Sequence, residues 1–338
     1  MSNNAEQPSP DLFFEVLTSY QKSAALKAAL ELDLFTAIGD TPATAAEIAA
    51  RRDASARGVR ILCDYLTILG FLEKLWDRYA LKPDSAVFLD RQSPAYAGGA
   101  AEFLLAPPLT RAFDQLADAV RKGGVAHPEL GTLEPEHPVW IHFARGMAQM
   151  MVPPAQALAE LVPLDSNRPA KILDISASHG MYGVAFARKN ANARFVALDW
   201  APVLEVAREN ARAAGVEDRF STIAGSAFDV DLGRDYDAVL IPNFLHHFDV
   251  PTCVRFLKKV HDALRAGGCV AVVEFVPNAD RITPPEVASF SLVMLATTPA
   301  GDAYTFAEFK EMLQQAGFKS PEQHPLPPST QTAVIAKK

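Results

Sequence analysis

Between Leu12 and about Ile38 apolar residues recur every three or four positions, with Leu26, Ala29, Leu30 and Leu34 along one side, so this stretch reads as helix. Thr44, with Glu47 three positions on, has the form of a capping box and opens a second helix. Val59, Leu62, Cys63, Leu66 and Leu69 trace a third, which stops at Gly70. Phe71–Leu72 and Tyr79–Leu81 then flank a polar tip, Asp77 and Arg78, and read as two short strands. Three helices followed by such a wing describe a winged-helix module. Residues 100–165 return to helical spacing, interrupted at Pro107–Pro108 and between Gly123 and Pro138.

From Lys171 the rhythm changes. The runs Ile172–Ile175, Arg194–Leu198, Phe220–Ile223, Ala238–Pro242 and Val270–Val276 read as strands. Helices are predicted between them over Gly180–Arg188, Ala201–Ala214 and Pro251–Leu264, the last ending before Gly267–Gly268. Phe306–Ala316 is a late helix stopped at Gly317, and Ala333–Ala336 a short final strand. Strand and helix in alternation mark a parallel sheet covered on both faces, so the fold class is α/β. The predicted organisation is a leader over 1–10, a winged-helix-like module over 11–99, linker helices over 100–165 and the sheet domain over 166–338.

A chain of 338 residues exceeds the usual size of one core, which supports two domains. The net charge of -8 and the absence of a basic run speak against nucleic acid as a partner. The third helix carries little basic beyond Arg57 and Arg60, so the module is read as an assembly device. The stripe Leu26, Ala29, Leu30 and Leu34 is expected to meet a second copy in a hydrophobic homodimer interface. Cys63, Cys253 and Cys269 lack metal-ligand spacing and read as small buried hydrophobes, with no metal site. No apolar stretch reaches the roughly 18 residues of a spanning helix, so no membrane partner is expected. The opening MSNNAEQPSPD has no basic or apolar leader character, and a cytoplasmic protein is expected.

Ligands of open parallel sheets bind beyond the carboxyl ends of the strands, so the residues after each strand matter most. After the first comes Asp174-Ile-Ser-Ala-Ser-His-Gly180, where a tight turn opens a helix; Ser176, His179 and Gly180 fall in it. The second ends at Asp199-Trp200, a carboxylate able to accept both ribose hydroxyls of a nucleoside or, alternatively, to cap the helix that follows. The third ends in Gly225-Ser226-Ala227-Phe228, whose ring could cover a base or sit in the core. The fourth runs into Asn243-Phe-Leu-His246-His247, and an imidazole there is suited to take a proton near neutral pH. Glu274 follows 28 residues after His246 and could orient it.

These residues resemble the dimeric small-molecule O-methyltransferases of the caffeic acid, hydroxyindole and bacterial polyketide type, over nearly all of Tyr20 to Lys338. Ala25-Leu-Lys-Ala-Ala-Leu-Glu-Leu32 is similar to the opening of that family's dimerisation domain, and the run from Arg60 to Leu72 to its third helix and first wing strand. Phe143-Ala-Arg-Gly-Met147 looks like the linker-helix segment whose Phe and Met line the ligand cavity. Leu245-His246-His247-Phe248 stands where the family has Leu-His-Asp-Trp, and Glu274 where it has the partner carboxylate. The segment from Met294 to Thr305 resembles its substrate-side segment.

The resemblance implies a seven-stranded Rossmann-like sheet with an antiparallel last hairpin, a homodimer, and S-adenosyl-L-methionine as cofactor. It implies catalysis by His246 and Glu274. Cofactor contacts would come from Asp174, Ser176, Gly180, Asp199, Trp200, Gly225, Ser226, Ala227, Phe228 and Asn243. Phe143, Met147, His179, His247, Phe290 and Met294 would surround a small-molecule acceptor. The chain departs from the pattern at Ser176 and Ser178, which replace two loop glycines, at Ser226 and Ala303, which replace acidic residues, and at His247, which replaces Asp. Those changes leave open other chemistry on the same cofactor, pericyclic or hydroxylating, and a ligand-sensing winged-helix regulator.

Overall fold

The computed structural model describes residues 8–134, 136–165 and 167–338; the first seven positions of the predicted leader lie outside the described residues. The described residues form two compact units, one ending at Ala101 and the other running over Glu102–Lys338.

In the first unit the predicted single helix over Leu12–Ile38 is three: α1 (Asp11–Thr18), α2 (Tyr20–Glu31) and α3 (Leu34–Ile38). The second break falls at Asp33, whose φ of 49° lies in the left-handed region that aspartate tolerates better than most residues. Arg52 and Arg91 pair with its carboxylate at 2.7 and 3.3 Å. β1 (Ala43–Thr44) leads into α4 (Ala45–Arg51), opened by the capping box: Thr44 accepts from the Glu47 amide, and the Glu47 carboxylate accepts from that of Thr44. Next come α5 (Ala56–Ile68), β2 (Leu72–Leu75), β3 (Arg78–Leu81) and α6 (Pro83–Phe88). The three strands make an antiparallel sheet in the order β1-β3-β2. Arg78 belongs to β3 and reaches Glu47 at 3.1 Å, so the turn is Trp76–Asp77 and not the predicted Asp77–Arg78.

The apolar stripe predicted to meet a second copy is turned inward. Ala29, Leu30 and Leu34 are buried and Leu26 packs beside them, in a core with Phe35, Ile48 and Leu66. Among the described residues a run of exposed apolar side chains lies on α1. That helix buries none of its residues, and Leu12, Phe13, Phe14 and Leu17 stand exposed.

α7 (Ala100–Leu104) carries the chain into the second unit, where α8 (Pro107–Asp114), α9 (Leu116–Lys122), α10 (Val139–Met147) and α11 (Val152–Leu161) precede the sheet. Then follow β4 (Ala170–Ile175), α12 (Met181–Lys189), β5 (Ala193–Asp199), α13 (Ala201–Ala213), β6 (Phe220–Ala224), β7 (Tyr236–Pro242), α14 (Val250–Ala263) and β8 (Leu264–Glu274). The chain ends in α15 (Pro285–Ala288), α16 (Phe290–Thr297), α17 (Phe306–Gln315), β9 (Lys319–Pro325) and β10 (Thr332–Lys337). The seven strands lie in the order β6-β5-β4-β7-β8-β10-β9. The first five are parallel; β10 runs antiparallel to β8, and β9 to β10.

β7 is buried at every position, which is why its stretch Ala238–Pro242 reads as a continuous apolar run. One face of the sheet packs Val239, Ile241, Leu257, Val270 and Met312; the other packs Ile172, Tyr182, Phe195, Leu240 and Val273. β8 ends at Glu274, two residues short of the predicted end, and starts at Leu264, so the glycine pair Gly267–Gly268 lies within it rather than in a loop. Burial keeps the thiols of Cys63 and Cys253 up at about 12 and that of Cys269 at about 11. Among the described residues no helix is long and apolar enough to cross a membrane.

Candidate active site

From β4 the chain winds out to β5 and β6 on one side, while β7 and β8 lie on the other. Strand order therefore reverses between β4 and β7, and the crevice beyond their carboxyl ends is where such sheets take ligands. A cavity of about 820 Å³ lies there, walled by the strand-end segments, α10 and α16. This is within the size range of small-molecule sites.

One part of the wall suits a nucleoside. Ser176, Ser178 and Gly180 have φ of 54°, 52° and 71°, so the serines hold the left-handed backbone that glycine adopts freely. The loop is pinned from β5: Asp199 Oδ2 accepts from the Ser178 amide at 2.9 Å, and Oδ1 from the Trp200 amide at 2.7 Å. Burial pushes the Asp199 carboxyl up to about 6 against these two donors. Each oxygen keeps capacity for a further hydrogen bond. The Ser178 hydroxyl is buried with no partner. Ser176, Trp200, Gly225, Ser226, Ala227, Phe228 and Asn243 share this wall. A carboxylate with spare acceptor capacity, an orphaned hydroxyl and two aromatic rings form a donor set that fits a ribose and its base.

Asp174 and Gly180 are not part of the wall. Asp174 is fully buried in β4, accepts from the Gly183 amide at 3.0 Å, and is pushed up to about 8 by desolvation. Gly180 packs on α13, where a Cβ would come within 3.0 Å of that of Ala207. Both shape the loop from beneath.

The second part of the wall carries the histidines. Glu274 lies at the end of β8, 1% exposed. Its Oε1 accepts from the amides of Phe244, Leu245 and His246 at 3.0, 2.9 and 3.3 Å, while Oε2 meets His246 Nδ1 at 2.5 Å. One carboxylate thus fixes both the turn and the ring, leaving His246 Nε2 as the nitrogen free to act. Asp302 donates its amide to the His246 carbonyl at 2.9 Å. Gly301 approaches so closely that any Cβ would lie 2.2 Å from that carbonyl oxygen.

His247 has no such partner. Its Nδ1 is buried and unpaired, and its ring stands edge-on to Trp140 at 5.4 Å and to His246 at 4.2 Å. Burial and the adjacent His246 hold it well below the usual imidazole range, so it is neutral. His179 accepts from the Met181 amide at 3.1 Å and stacks on Phe143 at 6.2 Å. Burial takes it down to about 4. Met147 on α10 and Phe290 and Met294 on α16 complete the apolar side, with Phe290 edge-on to His246 at 4.8 Å.

Tyr182, Gln331 and Trp140 are among the wall residues that escaped the sequence reading. Tyr182 donates to Gln331 Oε1 at 3.2 Å, and Gln331 Nε2 to Asn243 Oδ1 at 2.6 Å. Gln331 lies 88 positions from Asn243, in the turn before β10, where nothing local marks it. Trp140 was findable, since it stands three positions before Phe143 on one helix face. Among the described residues no group of three His, Cys, Asp or Glu side chains could hold a metal ion.

A family model described as the O-methyltransferase domain matches residues 113–319, and one for the O-methyltransferase dimerisation domain matches residues 14–91. The chain is 30% identical to a 3-hydroxy-5-methyl-1-naphthoate 3-O-methyltransferase of Streptomyces sahachiroi, covering 91% of this chain and 89% of that one. A crystal structure from Nostoc punctiforme, described as a candidate O-methyltransferase, has a TM-score of 0.94 at 55% identity and covers 98% of this chain and 100% of that one. Human N-acetylserotonin methyltransferase in complex with SAM shares the fold, with a TM-score of 0.85 at 22% identity over 100% of this chain and 99% of that one.

Proposed function

This chain belongs to the family of S-adenosylmethionine-dependent O-methyltransferases, and on that premise we propose that it methylates a hydroxyl of an apolar aromatic or polyketide-like small molecule, with His246 as general base. The observation that carries the assignment of the base is the His246–Glu274 pair. Of two adjacent histidines in one cavity wall, only His246 has a carboxylate behind it and a free nitrogen in front.

S-adenosylmethionine supplies a methyl group made electrophilic by its sulfonium. Asp199 and the Ser178 hydroxyl would hold the ribose, with Trp200 and Phe228 against the adenine. The acceptor hydroxyl gives its proton to His246 Nε2, and Glu274 stabilises the imidazolium that forms. The rings of Trp140, Phe143 and Phe290 exclude water and fix the acceptor plane, so the reacting oxygen is presented in one orientation. The test is transfer of a labelled methyl group to a phenol.

The dimerisation-domain match makes the chain a homodimer in this reading, with exposed α1 as part of the interface. Phe13→Asp combined with Leu17→Asp should convert the dimer to monomer, since two charges would be buried without partners. Light scattering checks this at micromolar protein; an unchanged dimer mass would remove α1 from the interface.

A further inference from the structure

The charges around the cavity are all of one sign. Among the described residues no lysine or arginine lines it, whereas Glu134, Asp199, Asp229 and Glu286 do. Glu134 and Glu286 are exposed. His179 and His247 add no positive charge, because both are buried and held neutral. Two nearby cations are engaged elsewhere. Arg145, on α10, pairs with Glu209 at 2.9 Å, and Arg281 is held by Asp302 at 3.1 Å and Glu308 at 2.5 Å. Arg111, on α8, is exposed and outside the wall.

A carboxylate entering this space would lose its water, find no lysine or arginine to pair with, and meet carboxylates of its own sign. Taking a charge out of water is tolerated only where it is paired. The acceptor's hydroxyl, in contrast, has His246 Nε2, and an aromatic plane has Trp140 and Phe143. We propose that the methyl acceptor is an uncharged aromatic without a free carboxylate or phosphate, and that Glu134 and Glu286 reject the corresponding acids. This rests on the reading of the cavity as the methyl-acceptor site. It also orders the chemistry: an acidic precursor must first be decarboxylated, esterified or amidated.

The test uses acceptors matched in shape and differing in charge: 6-hydroxy-2-naphthoic acid, its methyl ester, and 2-naphthol. Each is titrated calorimetrically into the enzyme saturated with S-adenosylhomocysteine, and methyl-transfer rates are measured in parallel. The ester and the naphthol should bind, and the acid should bind at least about 100-fold more weakly than the ester. Glu286→Lys, a change at an exposed position, should recover about 10-fold for the acid relative to the ester. Equal affinity for acid and ester overturns the proposal, as does an acid affinity unmoved by Glu286→Lys. Binding of none of the three while S-adenosylhomocysteine still binds overturns it too, with the cofactor reading intact. Loss of the wider reading has a different signature, namely no S-adenosylhomocysteine binding at all.

Discussion

His246→Ala should lower kcat by about 10²–10⁴-fold, the range that a positioned general base contributes, while affinity for S-adenosylhomocysteine stays near wild type. The separation follows from the geometry. The ring is gripped by Glu274 on one nitrogen and faces the cavity beside Phe290, whereas the residues suited to a nucleoside belong to the loops after β4, β5 and β6. Removing the ring deletes the proton acceptor without touching those loops. The turn itself should survive, because Glu274 Oε1 still receives the three backbone amides. His247→Ala should behave differently. It removes a neutral ring packed on Trp140, so the loss should appear mainly in KM. Full turnover in His246→Ala with loss in His247→Ala would transfer the base to His247. Full turnover in both would remove base catalysis from the mechanism.

Asp199→Ala should weaken binding of S-adenosylhomocysteine by about 10²–10⁴-fold, corresponding to two hydrogen bonds to a charged group at roughly 1.5–3 kcal/mol each. The same oxygens hold the amides of Ser178 and Trp200, so the alanine variant also frees a loop whose two serines have left-handed backbone. Asp199→Asn separates the two effects, since it keeps one acceptor oxygen without the charge. Its affinity should fall between wild type and Asp199→Ala. Protonation should mimic this loss. With the free carboxyl pushed up to about 6, affinity should be steady above that pH and decline as pH falls through it. Calorimetric titration across that range checks both, and wild-type affinity in a folded Asp199→Ala variant would move the ribose elsewhere.

How much of this was legible beforehand depended on how local the signal was. The strands of the sheet announced themselves because β4, β5, β7 and β8 are buried on both faces, so their sequences are apolar almost throughout. β9, with the sequence Lys-Ser-Pro-Glu-Gln-His-Pro, is an exposed edge strand whose prolines and charges carry no strand pattern. It was implied only by resemblance. α16 is apolar on all sides, so its periodicity gave no helix, although Phe290 and Met294 within it were named as wall residues. The orientation of the stripe through Leu26 and Leu34 was misread for a related reason. Spacing identifies an apolar face but not what covers it, and here the protomer's own core does. His246 and Glu274 were visible as strand-end residues, yet the feature that separates His246 from His247 is a contact across 28 positions. Gln331, bonded to residues 88 and 149 positions away, had no local signature at all.

The most direct test of methyl transfer supplies the enzyme with S-adenosylmethionine carrying a trideuterated methyl group and with an uncharged phenol such as 2-naphthol, and measures both products by mass spectrometry. The expected result is a trideuteromethyl ether formed in equal amount to S-adenosylhomocysteine. Conversion of the acceptor to an unlabelled product with no S-adenosylhomocysteine released would contradict the account and assign the cavity to a different reaction.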